Sequence, residues 1–455
     1  MKLIYDVSDR PKFGQLIIFA IQQLLAIMTA TLVVPVIIGH GMSPAAALFG
    51  AGVGTLVYIL FTKKKSPVFL GSSFAFIGSM FAAFAGGVSM SLGYLGLIIG
   101  ALFAGLVYVV IAIIVKLVGV NWINKVMPAT VIGPTVAIIG LSLAGNAIGD
   151  LLKGNVTGAD GLAVASPLIT ALCGLITLLI TIVSSTYGKK YGKLIPFIFG
   201  ILGGYAAAGI FTIIGYNCSV DALKVLNVAP LLALAPEGQV TLATFVQVPD
   251  FTFLTAFKGV GEINATYIST IAVAYIPVAF VVFAEHLADH KNISSIIEKD
   301  LLVEPGLHRT LLGDGIGSMV GALFGGCPNT TYGESVGCVA ITKNASVYTI
   351  ITAAVLAIII SFISPFIAFV NSIPSCVMGG VCMALYGFIA VSGLKMIQGV
   401  DLNQNKNLFV VSTILIAGIG GLTLTFGKIT LTSVACALIL GIIVNVCVSK
   451  AKDEE

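Results

Sequence analysis

Apolar residues run through this chain in long blocks, set apart by short polar hinges. Blocks such as Ala101–Val115 and Ser346–Val370 are too long for the strands or half-buried helices of a soluble domain. A bilayer core needs about 20 consecutive apolar residues in a helix, so such blocks predict transmembrane spans. Along the chain the pattern predicts spans near 13–39, 44–62, 68–84, 90–119, 127–145, 165–185 and 194–215. A second set follows near 265–289, 307–326, 328–342, 346–370, 375–396, 406–425 and 429–449, which makes fourteen. The first block is too long for a signal peptide and lacks a small-residue cleavage site, so it is read as span one. The longest hydrophilic connection, from about Tyr216 to Asn264, is the natural midpoint. The chain therefore divides into a seven-span repeat over 1–225, a linker over 226–264 and a second repeat over 265–455.

Composition agrees with an all-α polytopic membrane protein. Hydrophobic residues make up 58% of 455 positions and charged residues 9%, against about 25% charged in soluble domains. So few charges could not cover a water-soluble surface. The 52 glycines suit close helix packing in lipid. A dispersed net charge of +4 argues against nucleic acid as a partner. The eight cysteines show neither a CxxC pair nor metal-ligand spacing, and are read as small hydrophobes, with no metal or cofactor implied.

Basic residues set the orientation. With a cytoplasmic N-terminus, 19 of the 23 Lys and Arg fall on the inner side, among them Lys2, Lys63, Lys64, Lys65, Lys190, Lys193, Lys450 and Lys452. Only Lys153, Lys224, Lys258 and Lys428 fall outside. That asymmetry follows the positive-inside rule and predicts both termini in the cytoplasm, in a plasma-membrane protein.

The two halves echo each other. Pro128-x-x-Val131-Ile132-Gly133 opens span five, and Pro374-x-x-Val377-Met378-Gly379 opens span twelve. Pro67-x-x-x-Gly71-Ser72-Ser73 in span three matches Pro328-x-x-x-x-Gly333-Glu334-Ser335 in span ten. Both pairs share an offset of seven spans, an odd number, so the second repeat is inverted in the bilayer. Inverted repeats with interrupted spans mark secondary transporters, whose site lies at the breaks. Spans three and ten are each read as a short strand leading into a half-helix that begins at Gly71 or Gly333. Half-helix N-termini offer free N–H groups and a positive dipole end to a ligand.

Carboxylates inside spans are costly and functional by default. Glu285 follows the apolar run Ile271–Ala284, and Glu334 opens the span-ten half-helix; no Lys or Arg lies within either span as a partner. Asp289 lies one helical turn after Glu285, with His286 and His290 on an adjacent face. Asp289 and His286 are read as nearer the cytoplasmic end, and Asp314 in span nine as structural or interfacial.

Ala284-Glu285-His286, Gly71-Ser72-Ser73-Phe74-Ala75-Phe76 and Pro328-Asn329-Thr330-Thr331-Tyr332-Gly333-Glu334 resemble the nucleobase–ascorbate transporter family. The family signature is Gln, Glu or Pro, then Asn-x-Gly-x-x-x-x-Thr and a basic residue or Gly. This chain has Glu334-Ser335-Val336-Gly337 and then Thr342-Lys343, with Ser335 in the place of Asn. Gln22-Gln23 stands where the family has Gln-His. The resemblance implies fourteen spans in two inverted repeats. Spans 1–4 and 8–11 would form a core domain, and spans 5–7 and 12–14 a gate. It places substrate between spans three and ten, held by the side chains of Glu285 and Glu334 and the backbone N–H groups of Phe74 and Gly333. Ser73 flanks this site, and Ala30 and Tyr386 match its walls. It further implies homodimers formed through the gate domains.

A Glu at the first signature position resembles the uracil-type branch. Uracil is planar, with two N–H donors for carboxylates and two carbonyls for backbone N–H groups. The mechanism expected is proton symport by alternating access, because burial without a cation favours the neutral form of a carboxylate. Glu285 is the first coupling candidate, with Asp289 and His286 as relays. The alternatives are a purine or xanthine carrier of the same family and an anion exchanger of the same general fold. Intramembrane carboxylates disfavour the anion exchanger. No P-loop, G-x-S-x-G elbow or HExxH run points to an enzyme or an ATP-driven pump.

Overall fold

The computed structural model describes residues 3–158, 163–189, 192, 195–426 and 429–449. Lys2, Lys190, Lys193, Lys428, Lys450 and Lys452, used above for orientation, lie outside the described residues. The architecture is helical. In the first half come α1 (Phe13–Ile38), α2 (Pro44–Phe61), β1 (Leu70–Ser72), α3 (Ile77–Ala83), α4 (Met90–Val118), α5 (Ala129–Ser142), α6 (Ala144–Leu151), α7 (Pro167–Tyr187) and α8 (Pro196–Asn217). The second half holds α9 (Ala265–Ile297), α10 (Leu307–Gly325), β2 (Asn329–Thr331), α11 (Gly333–Thr342), α12 (Val347–Ile360) and α13 (Ser364–Ser372). It ends with α14 (Ser375–Met396), α15 (Asn405–Ile419), the hairpin β3 (Leu424–Phe426) and β4 (Ile429–Leu431), and α16 (Ser433–Val448). Among the described residues, eight helices are long and apolar enough to cross a bilayer, counting α5 and α6 as one rod.

Local sequence sets several of these boundaries. Ser43, Ser89 and Asn264 cap α2, α4 and α9 by accepting the backbone N–H of Ala46, Leu92 and Tyr267 at 3.2, 3.1 and 2.9 Å. The span read as 346–370 is broken at Ser361–Ile363, because Pro365 has no N–H to continue α12 and instead opens α13. Span fourteen begins at Ser433 rather than 429, since Ile429–Leu431 pairs with Leu424–Phe426 as a strand. The largest correction concerns α9, which runs on to Ile297, eight residues beyond the expected end at 289. The polar run from His286 to Asn292 is not a helix end; it continues the helix with His286, Asp289 and His290 turned inward and Lys291 and Asn292 exposed. Asp289 and His286 are thus buried rather than near a cytoplasmic end.

The helices pack in two groups. α10 lies against α2 and α4, α12 against α1 and α2, and α9 against α4. α14 lies against α5, α6 and α7, α7 against α8, and α15 against α5 and α16. Small residues permit the closest crossing. Gly313, Gly317, Gly321 and Gly325 form a ridge at four-residue spacing on α10. A Cβ at Gly54 would lie 2.7 Å from the Gly317 carbonyl oxygen, and one at Gly317 would lie 2.7 Å from the Gly54 oxygen. In lipid, such backbone contact replaces hydrophobic driving force as the source of helix association.

That tight seat brings the two broken spans together. β1 and β2 pair antiparallel, Leu70 opposite Thr331, Gly71 opposite Thr330 and Ser72 opposite Asn329, and all six residues are buried. The pairing continues as Ser73 N donates to Pro328 O at 2.9 Å. Extended backbone at membrane depth must satisfy its polar groups within the protein, and these segments satisfy each other. Gly71 does not open a half-helix as expected. It sits mid-strand beneath the Tyr332 ring, where a Cβ would also lie 2.9 Å from Thr31 Oγ1. The helical turn after β1 begins instead at Phe74, as a 3-10 turn (Phe74–Phe76) leading into α3.

Candidate functional site

Two helical starts follow the paired strands, one after β2 and one after β1. α11 begins at Gly333, straight after β2, and the N–H groups of its first turn have no intrahelical acceptor. Gly333 itself is exposed, so this end opens into space. Across the strand pair, Ser73 and Phe74 head the second start. Ser73 Oγ is buried without a hydrogen-bond partner. The Phe74 ring meets Tyr386 of α14 edge to face, with centroids 5.9 Å apart, so the wall bridges the two packing groups. The Tyr386 hydroxyl is buried without an oxygen or nitrogen partner. Ala30 is buried on α1, beside the Thr31 that abuts Gly71.

Three acids converge here. Glu285 and Glu334 are partly exposed and Asp289 is buried. Glu285 lies within electrostatic reach of Asp289, Glu334 and Asp314. Asp289 Oδ2 accepts from Thr331 Oγ1 of β2 at 2.9 Å, and a Cβ at Gly333 would lie 3.7 Å from Asp289 Oδ1. Among the described residues, none of the three forms an ion pair. Asp314 differs. Its Oδ2 lies 2.6 Å from His286 Nδ1 and accepts from Thr330 Oγ1 at 3.4 Å. His286 Nε2 lies 3.0 Å from Thr310 Oγ1, which itself donates to Leu307 O at 3.0 Å. Thr310 therefore accepts from Nε2–H, and a single proton is shared between His286 Nδ1 and Asp314. That pair is net neutral whichever atom holds the proton, and Asp314 is deeply buried rather than interfacial.

Comparison with known proteins settles the lineage. The profile of the Permease family matches residues 14–427. The uracil permease of Bacillus caldolyticus is 39% identical over 448 residues, covering 98% of this chain and 94% of that one. The uracil permeases of Bacillus subtilis (strain 168) and Escherichia coli (strain K12) are 36% and 35% identical and cover 100% and 96% of the chain, and 97% and 92% of their own lengths. The chain belongs to this family of nucleobase–ascorbate permeases. It is a transporter, not an enzyme, and a multi-pass membrane protein. The transmembrane domain of the cyanobacterial bicarbonate transporter BicA has the same fold, with a TM-score of 0.62 at 15% identity, covering 96% of this chain and 99% of that one. Murine Slc26a9, an anion transporter in the inward-facing state, matches with a TM-score of 0.63 at 9% identity over 97% of this chain and 69% of its own.

Within this permease, the two departures from the family signature touch each other. Gln23 Nε2 donates to Ser335 Oγ at 2.5 Å, and Phe69 N donates to the same hydroxyl at 3.0 Å. One buried oxygen thus ties α1, the approach to β1 and the first turn of α11 together, beside Glu334. Sequence reading flagged both positions, but only the fold shows that they are partners. It missed Asn329 as well, whose Nδ2 donates to Gly50 O at 3.2 Å and fastens β2 to α2. The four-residue glycine spacing of α10 was the available signal for that close seat.

Proposed function

We propose that this permease imports uracil across the cell membrane by proton symport, through alternating access. The observation that carries the reading is the convergence of Glu285, Asp289 and Glu334 at the start of α11, with no ion pair to any of them among the described residues. Uracil's ring N–H groups are donors for Glu285 and Glu334, and its carbonyls accept from the backbone N–H groups of Phe74 and Gly333. Phe74 and Tyr386 supply an aromatic wall for a planar ring. The names of the relatives point to the same substrate.

Proton coupling follows from charge. Like charges in a low-dielectric site repel strongly, and a site that changes sides of the membrane moves more easily when neutral. Glu285 is the coupling group in this reading, with Asp289 behind it. The fourteen-span count, in two inverted repeats, belongs to the same proposal. The two packing groups are its core (spans 1–4 and 8–11) and gate (spans 5–7 and 12–14), with both termini cytoplasmic. Exposed apolar residues on α7, such as Leu168, Leu175 and Leu179, suit either lipid or a homodimer through the gates. The fold relatives that carry anions raise an exchanger as a second reading, and the acid cluster opposes it because an anion would be repelled.

The test is uptake of labelled uracil into proteoliposomes with an imposed pH gradient, with xanthine and bicarbonate as competitors. Acceleration by an inward proton gradient, competition by neither compound and loss of gradient driving in Glu285→Gln are the expected results. Uptake indifferent to the gradient in wild type, or full driving in Glu285→Gln, would sink the coupling assignment.

A further inference from the structure

We propose that His290, Tyr58 and Ser66 form a proton relay from the acid cluster to the cytoplasmic end of the core; the idea rests on the proton-coupled reading above. Asp289 and His286 were the expected relays, but the His286 proton is shared with Asp314 and its second nitrogen is tied to Thr310. His290 is differently placed. Its Nδ1 lies 2.8 Å from the carbonyl oxygen of His286 one turn back, and a carbonyl only accepts, so Nδ1 carries hydrogen. Tyr58 donates its one hydrogen to Ser66, so its oxygen, 2.7 Å from His290 Nε2, is placed to accept Nε2–H when the ring is protonated. That hydroxyl lies 2.6 Å from Ser66 Oγ. All three side chains are 0% exposed.

The direction of the chain gives the relay its sense. His290 follows Asp289 in α9, on the acid-cluster side. Tyr58 lies in the last turn of α2, and Ser66 directly follows the exposed Lys63–Lys65 turn, on the face that the basic residues assign to the cytoplasm. The charged and titratable groups around it are Asp289 on α9, Asp314 on α10 and His286, whose ring stacks on His290 at 3.9 Å. Arg309 donates to the Phe61 carbonyl at 3.5 Å, at the end of α2.

The step balances without any other reactant than water. A proton arriving at His290 Nε2 makes an imidazolium. Its Nε2–H passes to the Tyr58 oxygen as the Tyr58 O–H passes to Ser66, and Ser66 gives its own proton to water entering transiently past the exposed Lys63–Lys65 turn. One proton enters and one leaves, only N–H and O–H bonds change, and rotation of the hydroxyls resets the line. A hydrogen bond serving only to hold α2 against α9 would need none of this directionality.

Purified protein in proteoliposomes tests the relay with two readouts. One is protons moved per uracil during net uptake, followed with a pH-sensitive dye. The other is uracil counterflow exchange, which needs binding and reorientation but no net proton release. In Tyr58→Phe and in Ser66→Ala, exchange is expected to stay within about twofold of wild type while proton-coupled accumulation falls about tenfold or more. Wild-type coupling in Ser66→Ala overturns the relay even where Tyr58→Phe fails to fold. Loss of exchange and coupling in equal measure also overturns it, because a structural role predicts that pattern. Wild-type protein that moves uracil without protons defeats the symport reading itself, and the relay with it.

Discussion

Ser335→Ala is the sharpest single perturbation of the site. Its hydroxyl oxygen is the shared acceptor for Gln23 Nε2 at 2.5 Å and Phe69 N at 3.0 Å, and Ser335 is 0% and Gln23 2% exposed. Alanine leaves two buried donors unmatched at a cost of about 1–3 kcal/mol each. Water reaching in from the partly exposed Glu334 reduces the total, so a net loss of about 2–4 kcal/mol is expected. Part of that loss falls on the first turn of α11, which carries Glu334 and Gly333. If about 1.4 kcal/mol goes into populating a misplaced turn, the apparent Kd for uracil rises about tenfold. Gln23→Leu alone costs less, about 1 kcal/mol, because Phe69 N keeps its acceptor. The pair should therefore couple by about 1–2 kcal/mol in a double-mutant cycle. Thermal unfolding in detergent, with and without uracil, reads both quantities. Ser335→Asn restores an acceptor and is expected to recover most of the affinity. A Ser335→Ala protein with unchanged Tm and Kd, or a strictly additive cycle, would refute the reasoning.

Three further outcomes follow from the packing and the ion pairs. Gly317→Ala places a methyl 2.7 Å from the Gly54 oxygen and 2.8 Å from Leu70 Cδ1, so it should cost about 1–3 kcal/mol, whereas Gly14→Ala, with nothing within 4 Å, should leave Tm unchanged or raised. Thr331→Val keeps the side-chain volume but removes the donor to Asp289 Oδ2, and is expected to lower transport rate and Tm together, by about 1–3 kcal/mol in stability. Where the N-terminal segment straps onto the end of α9, the bond from Lys299 holds the Asp6 carboxyl below its ordinary range. Its stabilisation is therefore present at neutral pH and lost as the pH falls through that lowered value. With the two side chains 40% and 52% exposed, Asp6→Asn should cost well under about 1 kcal/mol at neutral pH, and its Tm difference from wild type should shrink on acidification.

The membrane class was legible because it is a property of whole blocks: a run such as Ala101–Val115 admits few other readings. The breaks were legible because Pro67, Pro328 and the residues around them leave no donor or rotamer freedom for a continuous helix. The exact start of the first half-helix was not. Gly71 reads locally as a helix-opening glycine, and only the pairing with Thr330, 259 residues further along the chain, reveals why it must be small and extended. The end of α9 was misplaced for a related reason. His286, Asp289 and His290 look like a polar margin in one dimension, yet each meets a partner from β2, α10 or α2 in three. Polar side chains that satisfy one another across distant elements leave no periodic trace, so their partnership stays hidden until the fold is known.

The division of labour among the buried acids follows from their partners. Asp314 and His286 share one proton and carry no net charge, and they anchor α10, α9 and β2 through Thr310 and Thr330. A neutral, saturated pair stabilises position without competing for a substrate. Among the described residues, Glu285, Asp289 and Glu334 have donors from hydroxyl or backbone groups at most, and none forms an ion pair. Removing one partner of a saturated buried pair is strongly destabilising, whereas neutralising an uncompensated acid relieves repulsion. Asp314→Asn should therefore lower stability and leave little folded protein, while Glu285→Gln should fold normally and fail in coupling. Equal Tm losses in the two variants would mean that the acids share a single structural role, and the distinction between anchor and coupling group would fall.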